Sequence, residues 1–398
     1  MNITFILIII MLMGVSTAFY IEKPGRKKKK EEEETSKDFY SLDNLIDEVK
    51  KRISERIGDQ TPLKKGKSSG QPEEEYKRRL IKAKLRKAVR EACLGDLGER
   101  AFLKDHIREI LKEELKVNEE TIRYVFAFDD PEAMSAKDIF EYLYAIYMRV
   151  FGIGIFSNMV RDFGWDHNVE DNKGRLRGMI TSQMVRDAYG NCMYEGTFPD
   201  RLEMLTQRCY ENLYGHDAAD ILIMDTDIDG VSGGTGGRTR YDYNYLAELF
   251  GNRNECDVNI WDTVYCVYRG RLIRMEFLSF VNEERLERVV KNIYRYNART
   301  SLSKRNPVLL SSMKNNSRVV VSRPPVSDGW AFFVRKFGST DASRIDSLII
   351  DKGSGFVIEL LKKIVGAELN FVISGNTGGG KTTLVKALIE FIDPSFAL

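Results

Sequence analysis

The sequence predicts an α/β protein in three parts: a helical N-terminal region, an α+β module, and the first strand–loop–helix unit of a parallel α/β domain. Three observations carry this. Apolar residues recur at helical spacing from Tyr76 to about Tyr214, and period-two alternation takes over between Asp257 and Phe280. After Leu369, a glycine-rich loop sits between a short apolar run and a second helical pattern. The parts read as 76–215, 216–345 and 346–398, preceded by an apolar segment over 1–20 and a charged tether over 21–75.

In the helical region Leu103, Ile107, Ile110, Leu111 and Leu115 share one face, and Ile139, Leu143, Ile146 and Val150 share another. Its methionines and aromatics read as core. In the α+β module Val264, Cys266 and Tyr268 alternate before a turn at Arg269-Gly270, and Leu272–Glu276 returns as a second strand. A helix over Glu283–Asn297 turns Leu286, Val289, Val290 and Ile293 inward, and strands follow at Arg318–Ser322 and Trp330–Arg335. Asp225-Thr226-Asp227-Ile228-Asp229-Gly230 has the D-x-D-x-D-G opening of a calcium loop. The twelfth position is Gly236 rather than glutamate, and Ser232–Gly237 cannot start an exit helix. The segment therefore reads as a turn-rich surface loop.

Composition excludes several classes. The 398 residues are 43% hydrophobic and 30% charged, ordinary for a globular chain. With 61 basic against 59 acidic residues, the net charge of +2 provides no overall field toward nucleic acid. Cys93, Cys192, Cys209, Cys256 and Cys266, with His106, His167 and His216, show no zinc-ligand spacing, and the thiols fit a reduced compartment.

Phe5–Tyr20 is apolar and uncharged, just long enough to approach the thickness of a hydrocarbon core. Lys23, Arg26, Lys27, Lys28, Lys29 and Lys30 follow it. This order predicts a single N-terminal transmembrane anchor with the body on the cytoplasmic side. A cleaved signal peptide is the competing reading. The polar run from Glu31 to about Glu75 is broken at Gln60-Thr61-Pro62 and Gly66–Gly70. It reads as a flexible tether with one short amphipathic helix near Leu42–Ile53.

Leu369–Ser374 reads as a buried parallel strand. Gly375-Asn376-Thr377-Gly378-Gly379-Gly380-Lys381-Thr382 follows, matching G-x-x-x-x-G-K-[ST] in full. Thr383–Ile392 then has helical spacing at Leu384, Ala387, Leu388 and Phe391, the context such a loop requires. Glycines let successive amides point at phosphate oxygens, and the helix N-terminus adds partial positive charge at the same place. Lys381 is placed for the β- and γ-phosphates of ATP, the Thr382 hydroxyl for Mg²⁺, and Thr383 beside it belongs with the loop to the nucleotide-binding residues. Only sixteen residues follow Thr382, too few for the strands that would cover this unit, so the chain reads as stopping inside its nucleotide domain.

Four ordered segments resemble the secretion ATPases of the type II/IV superfamily, closest to the tight-adherence pilus branch (CpaF or TadA type). Arg269-Gly270-Arg271-Leu272 is similar to its RGRL hairpin, and Ser317-Arg318-Val319 with Arg323-Pro324-Pro325-Val326 to its SRV and PP segment. Phe333-Val334-Arg335-Lys336-Phe337 is similar to its IRKF strand, and the glycine-rich loop to its ISGxTGSGKTT form. The resemblance spans about residues 200–398. It implies an α+β domain packed on a RecA-like P-loop ATPase domain, homo-hexamers, and inner-membrane pilus or secretion platform proteins as partners. It also makes Arg335 and Arg318 candidates for reaching the nucleotide. The family's catalytic glutamate, Walker B strand and histidine segments have no counterpart here. Gly379 replaces a common serine, and an N-terminal apolar stretch is not typical of the family. Two alternatives stay open: another P-loop NTPase, such as a DNA translocase or a small-molecule kinase, and a non-catalytic membrane-tethered adaptor.

Overall fold

The computed structural model describes residues 37–58, 72–170, 176–234, 263–327, 329–336, 345–349, 352–375 and 380–392. The expected anchor over 1–20, most of the tether, and Asn376, Thr377, Gly378 and Gly379 lie outside these residues.

The helical part comprises α1 (Leu42–Gly58), α2 (Pro72–Glu91), α3 (Leu97–Glu109), α4 (Ala136–Phe151) and α5 (Ile155–Phe163). Strands β1 (Asn168–Glu170) and β2 (Leu176–Ile180) follow, then α6 (Ser182–Gly190), α7 (Phe198–Leu213) and the short α8 (Asp220–Met224). The starts are written in the sequence. The Asp96 carboxylate accepts the Glu99 amide at 2.9 Å ahead of α3, and Ser135 with Asp138 forms a capping box ahead of α4. At its C-terminal end α3 passes into a π-helical turn, Ile110–Glu114, which buries Ile110 and Leu111 together.

Strands β3 (Ile228–Gly234), β4 (Thr263–Tyr268), β5 (Arg271–Met275), β6 (Val308–Ser312), β7 (Arg318–Ser322) and β8 (Ala331–Arg335) complete the sheet, with α9 (Glu283–Tyr294) between β5 and β6. Among the described residues, eight strands run in the order β1-β2-β5-β4-β3-β8-β7-β6. Every pairing is antiparallel except β2 with β5. The alternation of Val264, Cys266 and Tyr268 places all three in the core, and the expected face of α9, Leu286, Val289, Val290 and Ile293, is fully buried. One continuous hydrophobic core runs from Leu45 to Val334 and includes both the helical part and the sheet.

Four expectations are corrected. The first concerns the tether. Leu45, Val49 and Ile53 of α1 are at most 1% exposed, so this stretch is docked on the main core rather than solvated. An i, i+4, i+8 stripe supplies the face, and Arg52 and Arg56 fix it through Glu114 at 3.3 and 2.5 Å. Second, Asp225 is buried and Ile228–Gly234 is a central strand rather than a surface loop. Glycine is needed there because a Cβ at Gly230 or Gly233 would stand 2.8 Å from the Val334 carbonyl oxygen or the Phe332 ring. Third, Val150 is exposed, at the open end of α4. Fourth, Leu369–Ser374 is irregular, and Leu369, Phe371 and Val372 are exposed. A strand exists only by pairing, and none of the described strands pairs with this segment.

The C-terminal unit is built from α10 (Ile345–Leu348), α11 (Ser354–Gly366) and α12 (Lys381–Ile389). Its own small core consists of Ile345, Ile358, Ala387 and Leu388, with Leu384 and Phe391 packed against them. Among the described residues, no single helix is long and apolar enough to cross a membrane.

Candidate phosphate-binding site

Helix α12 is held in the small core by the buried Ala387 and Leu388, in its C-terminal half. Gly380 is the N-cap, with φ +72° and ψ 9°, a left-handed conformation that glycine adopts without a Cβ penalty. Its carbonyl accepts the Leu384 amide at 2.9 Å, the first turn of the helix. The amides of Lys381, Thr382 and Thr383 come before the first intrahelical donor, the Leu384 amide, and lie at the positive end of the helix dipole.

Lys381 folds back across the loop. Its Nζ donates to the Gly375 carbonyl oxygen at 2.8 Å, and its Cγ and Cδ pass 3.9 Å from where a Cβ on residue 375 would stand. The two ends of the glycine-rich loop are thus brought together by the ammonium group. Thr382 is exposed beside it. These groups fit a polyphosphate: a cation that can exchange a neutral carbonyl for an anionic oxygen, first-turn amides, and a glycine that lets the backbone approach closely. The Thr382 hydroxyl is a hard oxygen donor suited to Mg²⁺. Among the described residues, no group of three or more His, Cys, Asp or Glu side chains is arranged to hold a metal.

Arg318 and Arg335 face each other in the register of β7 and β8, and both are exposed. They belong to the sheet of the main body, whereas Gly375 and Gly380–Thr383 belong to the C-terminal unit.

One residue quoted only as part of a motif acquires a chemical role of its own. Lys336, next after β8, donates its amide to the Asp229 carbonyl at 2.8 Å. Its Nζ donates to the Leu222 carbonyl at 3.0 Å and to the Asp225 carbonyl, at the C-terminal end of α8. Burial lowers its pKa to about 8, against the opposing pull of Asp225 and Asp229. Nothing in the local pattern marks this lysine, because its partners are backbone carbonyls more than a hundred residues away.

The helical part also encloses a network of ions that sequence reading missed. Arg208 contacts Asp138 and Glu141 at 2.6 Å and Glu211 at 3.2 Å, and Lys137 contacts Glu211 at 2.6 Å. Arg100 pairs with Asp220 at 2.5 Å. Burial first, then the charge of Glu141, pushes Glu211 up to about 8. The same burial raises the thiols of Cys209 and Cys266 to about 12, which keeps both protonated and unreactive at neutral pH. The only sign of the network in the sequence is charge at positions whose helical phase faces inward.

No family model matches the chain. Over 76 residues it is 34% identical to the Holliday junction branch migration ATPase PINA of Sulfolobus acidocaldarius, a match covering 19% of this chain and 13% of that protein. Among solved structures it is similar to the VirB11 ATPase from the Brucella suis type IV secretion system, crystallised with sulphate. There the identity is 19%, the match covers 44% of this chain and 52% of the other, and the TM-score is 0.19, too low to argue from. The chain thus spans about an eighth of the first protein and half of the second.

Proposed function

We propose that this chain is a subunit of a motor ATPase that binds ATP and Mg²⁺ at Gly375–Thr383 and powers pilus assembly, protein secretion or conjugative transfer at the cytoplasmic face of a membrane. The observation that carries the reading is the Lys381 ammonium bridging to Gly375 at the N-terminus of α12, within a complete G-x-x-x-x-G-K-T loop. The ordered RGRL, SRV and IRKF-like segments support the choice of secretion motor. A homo-hexameric ring, platform partners in the inner membrane, and roles for Arg318 and Arg335 near the nucleotide follow from that choice.

Each residue of the loop has a task. The first-turn amides and Lys381 hold and orient the phosphates, and Thr382 contributes an oxygen to the metal. Mg²⁺, when bound with ATP, neutralises charge on the phosphate oxygens. Gly375 and Gly380 keep the backbone close enough for the amides to reach.

A second reading, a DNA-translocating ATPase, is favoured by the 76-residue similarity to PINA. Phosphate release from Mg-ATP, measured with and without duplex DNA, separates the two. The secretion reading expects turnover in the wild type that Lys381→Ala abolishes and DNA leaves unchanged. Severalfold stimulation by DNA moves the assignment to the second reading, and equal rates in wild type and Lys381→Ala overturn both.

A further inference from the structure

Charge is segregated along the main body. From Arg288 to Ser327 there are nine lysines and arginines and no acid. From Glu113 to Glu132 there are seven acids and two bases. Part of each set is used internally. Arg288 donates to the Asn212 carbonyl, Lys291 pairs with Glu287 at 2.7 Å, and Lys314 pairs with Glu91 and Asp96. Glu114 holds Arg52 and Arg56.

One ordered loop gathers basic groups that the body does not use. The backbones of Ser303 and Asn306 exchange hydrogen bonds at 3.0 and 3.1 Å, so Lys304 and Arg305 form the tip of a two-residue turn. The Asn306 side-chain amide donates to Thr300 Oγ1 at 2.9 Å, which ties Arg299 to the neck of the same loop. Arg295 opens the 3₁₀ turn that leads into it. All four cations are exposed, and among the described residues none of their side chains has an ion pair or a hydrogen bond. The loop runs into β6, the terminal strand of the sheet, where Leu310 is 76% exposed.

The acids gather elsewhere. Glu119, Glu120, Asp129, Asp130 and Glu132 are exposed, and Arg123, 3.6 Å from Asp129, joins the two groups. Arg186 donates to the Pro131 and Met134 carbonyls at 2.8 and 3.1 Å, and the Tyr189 hydroxyl to the Phe128 carbonyl at 2.9 Å. These bonds fasten the acidic segment to α6, which follows β2. Five strands separate β2 from β6, which at about 4.8 Å per strand sets them roughly 29 Å apart. Both surfaces are fixed to one core, so a single copy cannot bring them together.

We propose that the basic loop 295–305 and the β6 edge beside it receive the acidic segment 119–132 of a second copy of this chain. The contact is head-to-tail, using a different surface on each partner, and it closes into a ring where the rotation allows. Leu310 among cations suits a protein surface, in which an apolar centre is enclosed by a polar rim. Tyr296, 48% exposed beside Arg295, would serve a nucleic acid equally well, but Leu310 offers a base nothing to stack on. The inference rests on the main body and deepens the ring proposed above without using the nucleotide site.

Sedimentation of the full chain without nucleotide, in NaCl at about 0.1 M and about 1 M, tests it, since the screening length falls from about 10 Å to about 3 Å between them. Association is expected at low salt and at least tenfold weaker at high salt. Arg299→Glu/Arg305→Glu and Glu119→Lys/Glu132→Lys should each stay monomeric with unchanged thermal melts. Mixed together they should associate again, because each reversed surface then meets an opposite one. Lys381→Ala should associate like wild type, so failure of the ATP reading and failure of this one are read separately. A monomeric wild type at low salt, or a mixture that stays apart, overturns the proposal. So does a monomeric wild type that binds duplex DNA through Arg299 and Arg305, which would assign the loop to nucleic acid.

Discussion

Replacing Arg208 with methionine removes the central cation of the buried network while keeping most of the side-chain volume. Arg208 is 7% exposed. It donates from Nε to Glu141 at 2.9 Å, and from Nη2 to Glu141 and Asp138 at 2.6 Å. Without it, Glu141 and Glu211, at 3% and 0% exposure, are left with Lys137 at 3.5 and 2.6 Å. That ammonium lies nearer to Glu211, which leaves the buried Glu141 carboxylate without a close cation. Breaking a buried pair by removing one partner costs about 3–5 kcal/mol. With a urea m-value of about 3 kcal/mol/M, the unfolding midpoint falls by roughly 1–1.7 M. Adding Glu141→Gln to Arg208→Met recovers part of the loss, because the orphaned charge goes with it. Urea unfolding followed by circular dichroism measures all of these variants. A loss below about 1 kcal/mol in Arg208→Met, or strict additivity in the double variant, would refute the reasoning, since both are the behaviour of a solvated pair.

Leu45→Ala tests the docking of α1: a fully buried leucine predicts a loss of about 2–5 kcal/mol, whereas a flexible tether predicts none. For Glu211, burial and the Glu141 charge raise the pKa from 4.5 to about 8, so between those values the folded chain holds a proton that the unfolded chain has released. Stability from this group is therefore present at the acid end and lost as pH rises through that window. Thermal melts at pH 5 and pH 8 should differ less in Glu211→Gln than in wild type, and an unchanged difference would count against the assignment.

Much of this architecture is legible in the residues because local patterns coincide with packing. Leu103, Ile107, Ile110 and Leu111 share a helical phase and are all buried, and Val264, Cys266 and Tyr268 alternate into the core. The Arg269-Gly270 turn joins β4 to β5 as its left-handed residues require, with φ of +49° and +75°. What escaped the pattern is non-local. The parallel register of β2 on β5 joins residues nearly a hundred positions apart, and α1 owes its docking to a face on α7 and Glu114 that no short window contains. Leu369–Ser374 failed for the converse reason: apolar, β-prone residues do not make a strand without a neighbour to pair with. At the site, the loop motif and its helix were readable from spacing. The Lys381 contact with Gly375 and the carbonyl cradle around Lys336 were not, since both depend on where the backbone turns.

Isothermal calorimetry of Mg-ATP against the folded chain, wild type beside Lys381→Ala, tests the central claim most directly. Losing a charge-assisted contact worth about 1.5–3 kcal/mol predicts at least tenfold weaker binding in the variant at an unchanged melting temperature. Equal affinity in the two proteins, or no heat of binding in a well-folded wild type, would contradict it.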